Sequence, residues 1–222
     1  MALKRYYFDV YDVPAEKLRS EDWMLQLLTG LQNCLAIEIA DYREILCVEQ
    51  VPVADTGISA VGIGLSSHIT CHSFDKRGTI FIDCCLDTKD EHGDLIAKII
   101  RQLEPRARVE SCYCDLTNGG RFGKQLVLKL PKCLVVEAAN IIHNVMMTIE
   151  MHPLCEVLSY GRSQDYTILQ PIMESHIAAH QNGDCMELDI FSCRTFSEEI
   201  IMQLLPEAKV IARVERGRYY PL

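Results

Sequence analysis

Two stretches of this chain repeat each other in order, and such a repeat limits the fold more than any composition does. Ser66-Ser67-His68-Ile69-Thr70-Cys71-His72, followed by Ile82-Asp83-Cys84-Cys85-Leu86, recurs as Glu174-Ser175-His176-Ile177-Ala178-Ala179-His180, followed by Leu188-Asp189-Ile190-Phe191-Ser192-Cys193. A further matching pair, residues 102–109 and 203–210, comes after each copy. Self-similarity in fixed order marks one structural unit used twice. The two copies differ in chemistry: only the second carries a full set of reactive side chains.

Length and composition agree with this. At 222 residues and 49% hydrophobic content, the chain can bury one large core or two smaller ones. A net charge of −9 without a Lys/Arg cluster argues against nucleic acid as a partner, because phosphate contacts need a basic surface. The N-terminus Met1-Ala2-Leu3-Lys4-Arg5 lacks the apolar core of a signal peptide. No stretch approaches the roughly 18 apolar residues of a membrane span, so a cytoplasmic location without membrane attachment is expected. Eleven cysteines without a secretory signal read as reduced thiols. Neither Cys84-Cys85 nor Cys112-Tyr113-Cys114 has the spacing of a zinc site, so no structural metal is expected. Most of the cysteines read as small core residues; Cys193 is the exception developed below.

Residues 5–13 alternate and are rich in aromatic and β-branched types, which predicts a strand. Ser20 offers an N-cap before Glu21 and Asp22, and Trp23, Leu27, Leu28, Leu31 and Leu35 follow at helical spacing. Residues 37–39, 44–53, 58–65, 68–72 and 79–86 read as strands, 94–103 as a helix ending before Pro105, and 108–116 as a strand. Thr117-Asn118-Gly119-Gly120-Arg121-Phe122-Gly123 is a strong turn signal and the natural joint between halves, giving units 1–117 and 118–222. In the second half, residues 125–130, 155–160, 166–173, 186–192 and 209–215 read as strands, and 135–149 and 197–205 as helices. The expected class is α/β: duplicated α+β units forming a layered α/β/β/α sandwich with antiparallel sheets and pseudo-twofold symmetry.

The run Glu174-Ser175-His176, a second histidine five residues after the serine, the strand Leu188-Asp189-Ile190-Phe191-Ser192-Cys193 and the terminal Glu215-Arg216-Gly217-Arg218-Tyr219 resemble the small prokaryotic S-adenosylmethionine decarboxylases. The resemblance implies a proenzyme that cuts itself to create a covalent pyruvoyl cofactor. Two such units, as a homodimer or a fused chain, make the sandwich in that family, and a homodimer of the whole chain is left open. A decarboxylase acting on an amino acid needs an electron sink at the carbon losing CO₂, and a keto group that forms a Schiff base with the substrate amine is one. By the resemblance, Ser175 attacks the carbonyl of Glu174 and becomes the pyruvoyl group, His180 assists this processing, and Cys193 reprotonates the substrate carbon. Thr167 stands where the family has a serine that supports processing, and it keeps the hydroxyl.

In the first copy Ser66 replaces the glutamate before the scissile bond and Asp87 falls where the cysteine should be, although Ser59, His68 and His72 remain. Self-cleavage at Ser67 is therefore not expected, and one active site per chain is. Family members follow the processing histidine with Thr-Trp-Pro-Glu; this chain has Gln181-Asn182-Gly183-Asp184, with two residues deleted before the strand. Asp184 or Glu187 is then the candidate for ribose hydroxyls, and Phe74 for a cation–π contact to a sulfonium. The small-molecule substrate expected is S-adenosylmethionine, in polyamine (spermidine) biosynthesis. L-Arginine or L-ornithine is the alternative on the same scaffold, and a non-catalytic regulatory paralogue the remaining one.

Overall fold

The computed structural model describes residues 3–35, 39–48, 56–111, 123–162, 165–173 and 175–217, with 39–48 and 162 described in backbone only. Glu174, the joint at 117–122 and the outer parts of the strands expected at 37–39, 44–53 and 108–116 lie outside the described residues. Two compact units are present, one within residues 1–113 and one within 114–219.

The first unit runs β1 (Lys4–Tyr11), α1 (Ala15–Leu18), α2 (Glu21–Leu35), β2 (Ile39–Val48), β3 (Gly57–Gly64), β4 (Ser67–Phe74), β5 (Thr79–Leu86), α3 (Gly93–Leu103) and β6 (Arg108–Ser111). The second runs β7 (Gly123–Pro131), α4 (Val135–Thr148), β8 (Leu158–Arg162), β9 (Asp165–Ile172), β10 (Ser175–Asn182), β11 (Cys185–Ser192), α5 (Glu198–Leu204) and β12 (Lys209–Arg216). The first sheet is ordered β2-β3-β4-β5-β1-β6 and the second β12-β7-β11-β10-β9-β8. Read with β1 set against β7 and each later strand against its successor, the two orders are the same. The duplication seen in sequence is therefore a duplication of topology. The class expected, α/β with antiparallel sheets, is the class observed.

Alternation along each strand decides what each face holds. In the second unit, Leu126, Leu128, Ile168, Ile172, Ile177, Ala179, Leu188 and Ile190 share a buried cluster with Ala138, Ile142 and Val145 of α4 and Ile201 of α5. Each fully buried aliphatic side chain of this kind stabilises the fold by about 1.5–3 kcal/mol. The first unit builds the corresponding core from α2 and α3, with Leu27, Leu28 and Leu31 against Ile58, Ile69 and Ile82. The helix starts are those the sequence marks: the Ser20 hydroxyl accepts from the Trp23 N–H at 3.2 Å, and the Ser197 hydroxyl from the Ile200 N–H at 3.4 Å.

Sequence reading did not predict the short helix α1 or strand β10. Ser175-His176-Ile177-Ala178-Ala179-His180-Gln181-Asn182 is poor in β-formers, yet pairing with β9 and β11 and burial of residues 175–181 hold it extended. The two-residue deletion is visible where β10 turns into β11. The loop is Gly183-Asp184 alone, with Gly183 in the left-handed region at φ 69°. The corresponding turn of the first unit keeps four residues, 75–78, between β4 and β5.

Candidate active site

Ser175 opens β10 and is wholly buried. The β10–β11 hairpin pairs His176 with Phe191, so Ser175 falls beside the end of β11. There its hydroxyl oxygen accepts a hydrogen bond from the Cys193 backbone N–H at 3.1 Å. The Cys193 thiol is half-buried. Serine oxygen and cysteine backbone are thus held together by sheet register alone. A donor aimed at an oxygen favours negative charge on it, the condition a serine nucleophile requires.

Thr167 and His180 form a second pair. The Thr167 hydroxyl and the His180 Nδ1 are 3.1 Å apart, both buried, on directly opposed positions of β9 and β10. This pair does not meet Ser175 within the unit. Five residues of extended strand separate Ser175 from His180, about 16 Å at 3.3 Å per residue, and the odd spacing puts them on opposite faces. A base must stand within about 3 Å of the proton it removes, and within the second unit His180 stands five residues along β10 from Ser175, on the other face of the strand.

Of the expected substrate contacts, Asp184 and Glu187 belong to the second unit and Phe74 to the first. Asp184 is fully exposed at the hairpin tip, 4.0 Å from Lys132, at the far end of β10 from Ser175. Glu187 lies opposite His180 and Lys129, toward that same end. Phe74 is wholly buried in the first unit, with its ring 5.0 Å from Phe81.

Sequence reasoning missed the buried polar residues beneath the Ser175 end. His176 is wholly buried, its ring 5.7 Å from that of Phe191, and burial pushes its pKa down to about 3. The Arg216 guanidinium lies 5.2 Å from the same Phe191 ring and donates to the Gln125 side-chain Oε1 at 3.4 Å. Gln125 in turn donates to Asp189 at 2.7 Å. The available signal was Arg216 two residues beyond Val214 on a strand whose inward positions are apolar.

The first unit repeats the frame with other chemistry. Its Ser67 hydroxyl accepts from the Asp87 N–H at 3.2 Å, and its Ser59 hydroxyl lies 2.9 Å from His72 Nδ1. A duplicated antiparallel α/β unit with a buried serine hooked at a hairpin end is thus defined twice.

Residues 4–112, just under half of the chain, match the family model for S-adenosylmethionine decarboxylase. The match falls on the first unit, whereas the complete pairing of serine with cysteine is in the second. Among solved structures, the chain is similar to the adenosylmethionine decarboxylase from Aquifex aeolicus VF5. Identity there is 15%, coverage 53% of this chain and 96% of that one, and the TM-score 0.40. It is also similar to an unknown protein from Galdieria sulphuraria at 9% identity, with 96% and 98% covered and a TM-score of 0.26. No curated protein matches. Among the described residues, no helix is long and apolar enough to cross a membrane.

Proposed function

We propose that the second unit cuts its own chain between Glu174 and Ser175, converts Ser175 to a pyruvoyl group and with it decarboxylates S-adenosylmethionine for polyamine synthesis in the cytoplasm. The observation that carries this reading is the buried Ser175 hydroxyl held at 3.1 Å by the backbone N–H of a half-buried cysteine, Cys193, where the first unit has Asp87 at the same contact. Ser175 Oγ attacks the carbonyl carbon of residue 174. The C–N bond breaks, the amine keeps the proton that the hydroxyl gives up, and an ester results. Loss of the Ser175 α-proton expels the carboxylate of residues 1–174; water then replaces the nitrogen, which leaves as ammonia, and a keto group remains. The residues present fit that group: a buried hydroxyl on a strand paired on both sides, with the backbone donor of a cysteine beside it. Once formed, the keto group supplies the electron sink for the carbon that loses CO₂.

Cys193 is then the proton donor to the product carbon. Its backbone already touches Ser175, and its thiol is half-buried rather than sealed in the core. The family match of residues 4–112 favours S-adenosylmethionine as substrate. The two-residue turn Gly183-Asp184 favours the second reading, L-arginine or L-ornithine, because it carries no aromatic residue to stack on a nucleoside.

Intact mass under denaturing conditions tests the reading. The wild-type protein should appear as two chains, 1–174 and 175–222, the second with the mass of a pyruvoyl terminus, and Ser175→Ala as one inactive chain. A wild-type protein that is never cut yet decarboxylates would sink the proposal. Release of CO₂ from L-arginine or L-ornithine and none from S-adenosylmethionine would keep the processing and replace the substrate.

A further inference from the structure

Arg216 is wholly buried. Removing a guanidinium from water costs several kcal/mol, and exchanging a buried ion for an apolar side chain of similar size is often neutral or stabilising. Stability alone is thus a poor reason for an arginine here. Its surroundings are specific: the Phe191 ring on one side, the Gln125 Oε1 as acceptor, and Asp189 reached through the Gln125 Nε2. Gly123 makes the approach feasible, because a Cβ there would stand 3.2 Å from the Phe191 ring and 3.3 Å from the Arg216 Cβ.

Phe191 is the link to the serine. It lies directly opposite His176 with the two rings 5.7 Å apart, and two residues later the Cys193 N–H holds the Ser175 oxygen. Ser175-His176 is therefore fixed twice by 191–193, once by the ring contact and once by the hydrogen bond. The first unit shows what happens without the stack. By strand register its residues at these places are Arg5 for Gln125, Cys85 for Phe191 and His68 for His176. The aromatic is absent from the unit that also lacks the cysteine at the serine, since Asp87 stands there. The stack and the reactive set occur together, in the second unit.

We propose that Arg216 is a positioning residue for the reaction at Ser175: it holds the Phe191 ring, and through it His176 and the Ser175 hydroxyl, in the geometry from which the chain cuts itself. The proposal rests on the self-cleavage reading and names a residue that acts through another. An error of about 1 Å in such a geometry costs on the order of 10²-fold in rate.

The test is a time course of cleavage of freshly synthesised full-length chain, read by denaturing mass spectrometry, with the thermal unfolding midpoint measured beside it. Arg216→Met should cleave at least tenfold more slowly with a midpoint unchanged or raised. Arg216→Lys, which keeps the charge but not the planar face, should recover only part of the rate. Phe191→Leu should slow cleavage similarly, and the double variant should be no slower than the slower single one, because both changes remove the same contact. Wild-type cleavage rates in Arg216→Met, or fully additive losses in the double variant, would overturn the proposal. If Arg216→Met does not fold cooperatively, Phe191→Leu decides alone, and a wild-type rate there overturns it. A wild-type chain that stays intact overturns the self-cleavage reading and this proposal together; a cut wild type with an equally cut Arg216→Met overturns this proposal only.

Discussion

His176→Phe should make the protein less sensitive to acid. The imidazole is wholly buried against Phe191, and burial alone lowers its pKa from 6.5 to about 3. A histidine whose folded pKa lies below its unfolded value binds a proton more readily in the unfolded chain, so stability is lost as pH falls from about 6.5 toward 3. The slope across that window approaches 1.4 kcal/mol per pH unit. Between pH 7 and pH 5 this one residue then costs about 2 kcal/mol, a large share of a typical 5–15 kcal/mol total. Carboxylates held low by partners add to acid loss only further down: Thr56 and Arg19 outweigh the opposing burial at Asp75, and its contribution is kept until pH falls below the usual carboxylate range. Phenylalanine preserves the ring contact and cannot be protonated. Urea unfolding at pH 7 and pH 5 should show a wild-type decrease in unfolding free energy larger than that of His176→Phe by about 2 kcal/mol. Equal decreases in the two proteins would refute the reasoning and place the acid sensitivity elsewhere.

Cys193→Ala is expected to be processed at Ser175 yet to turn over about 10²-fold or more slowly, the scale of a lost general acid; single-turnover CO₂ release measures it, and full activity would assign the proton to another group. His180→Ala should leave the rate of cleavage at Ser175 within a few-fold of wild type while lowering stability by about 1–3 kcal/mol, because the buried Thr167 hydroxyl loses its partner. A hundredfold loss of cleavage in a cooperatively folded His180→Ala would show that the separation along β10 has been misjudged.

Much of this fold was legible because periodicity survives in the sequence. Leu27, Leu28 and Leu31 mark one face of α2, and Thr79–Leu86 is bounded where its pattern ends. Strand β10 was not legible, since Ala178 and Ala179 have little intrinsic preference for extended backbone and the strand is set by its two neighbours. The site was legible in part for the same reason. Ser175 and Cys193 are 18 residues apart, but a tight hairpin converts that spacing into a 3.1 Å contact. Ser175 and His180 are only five residues apart, and an extended strand converts that spacing into a long separation. Gln125 and Arg216 lie 91 residues apart, and only the pairing of β7 with β11 and β12 brings them to Phe191. Sequence distance predicts contact only after the backbone period is known.

The two units separate what the frame dictates from what the chemistry requires. Ser67 accepts from the Asp87 N–H at 3.2 Å just as Ser175 accepts from the Cys193 N–H at 3.1 Å, so the hook follows from hairpin register and persists whatever side chain sits on the donor residue. A hooked serine by itself is therefore not a mark of reactivity. What distinguishes the second unit is the thiol at Cys193, able to give a proton where a carboxylate offers only acceptor oxygens, and the Phe191 ring held between His176 and Arg216. Duplication lets a chain keep one frame twice for folding while the reactive groups need to stay in only one copy. The side chains that differ between the copies at matched register are consequently the ones to change first when function is tested.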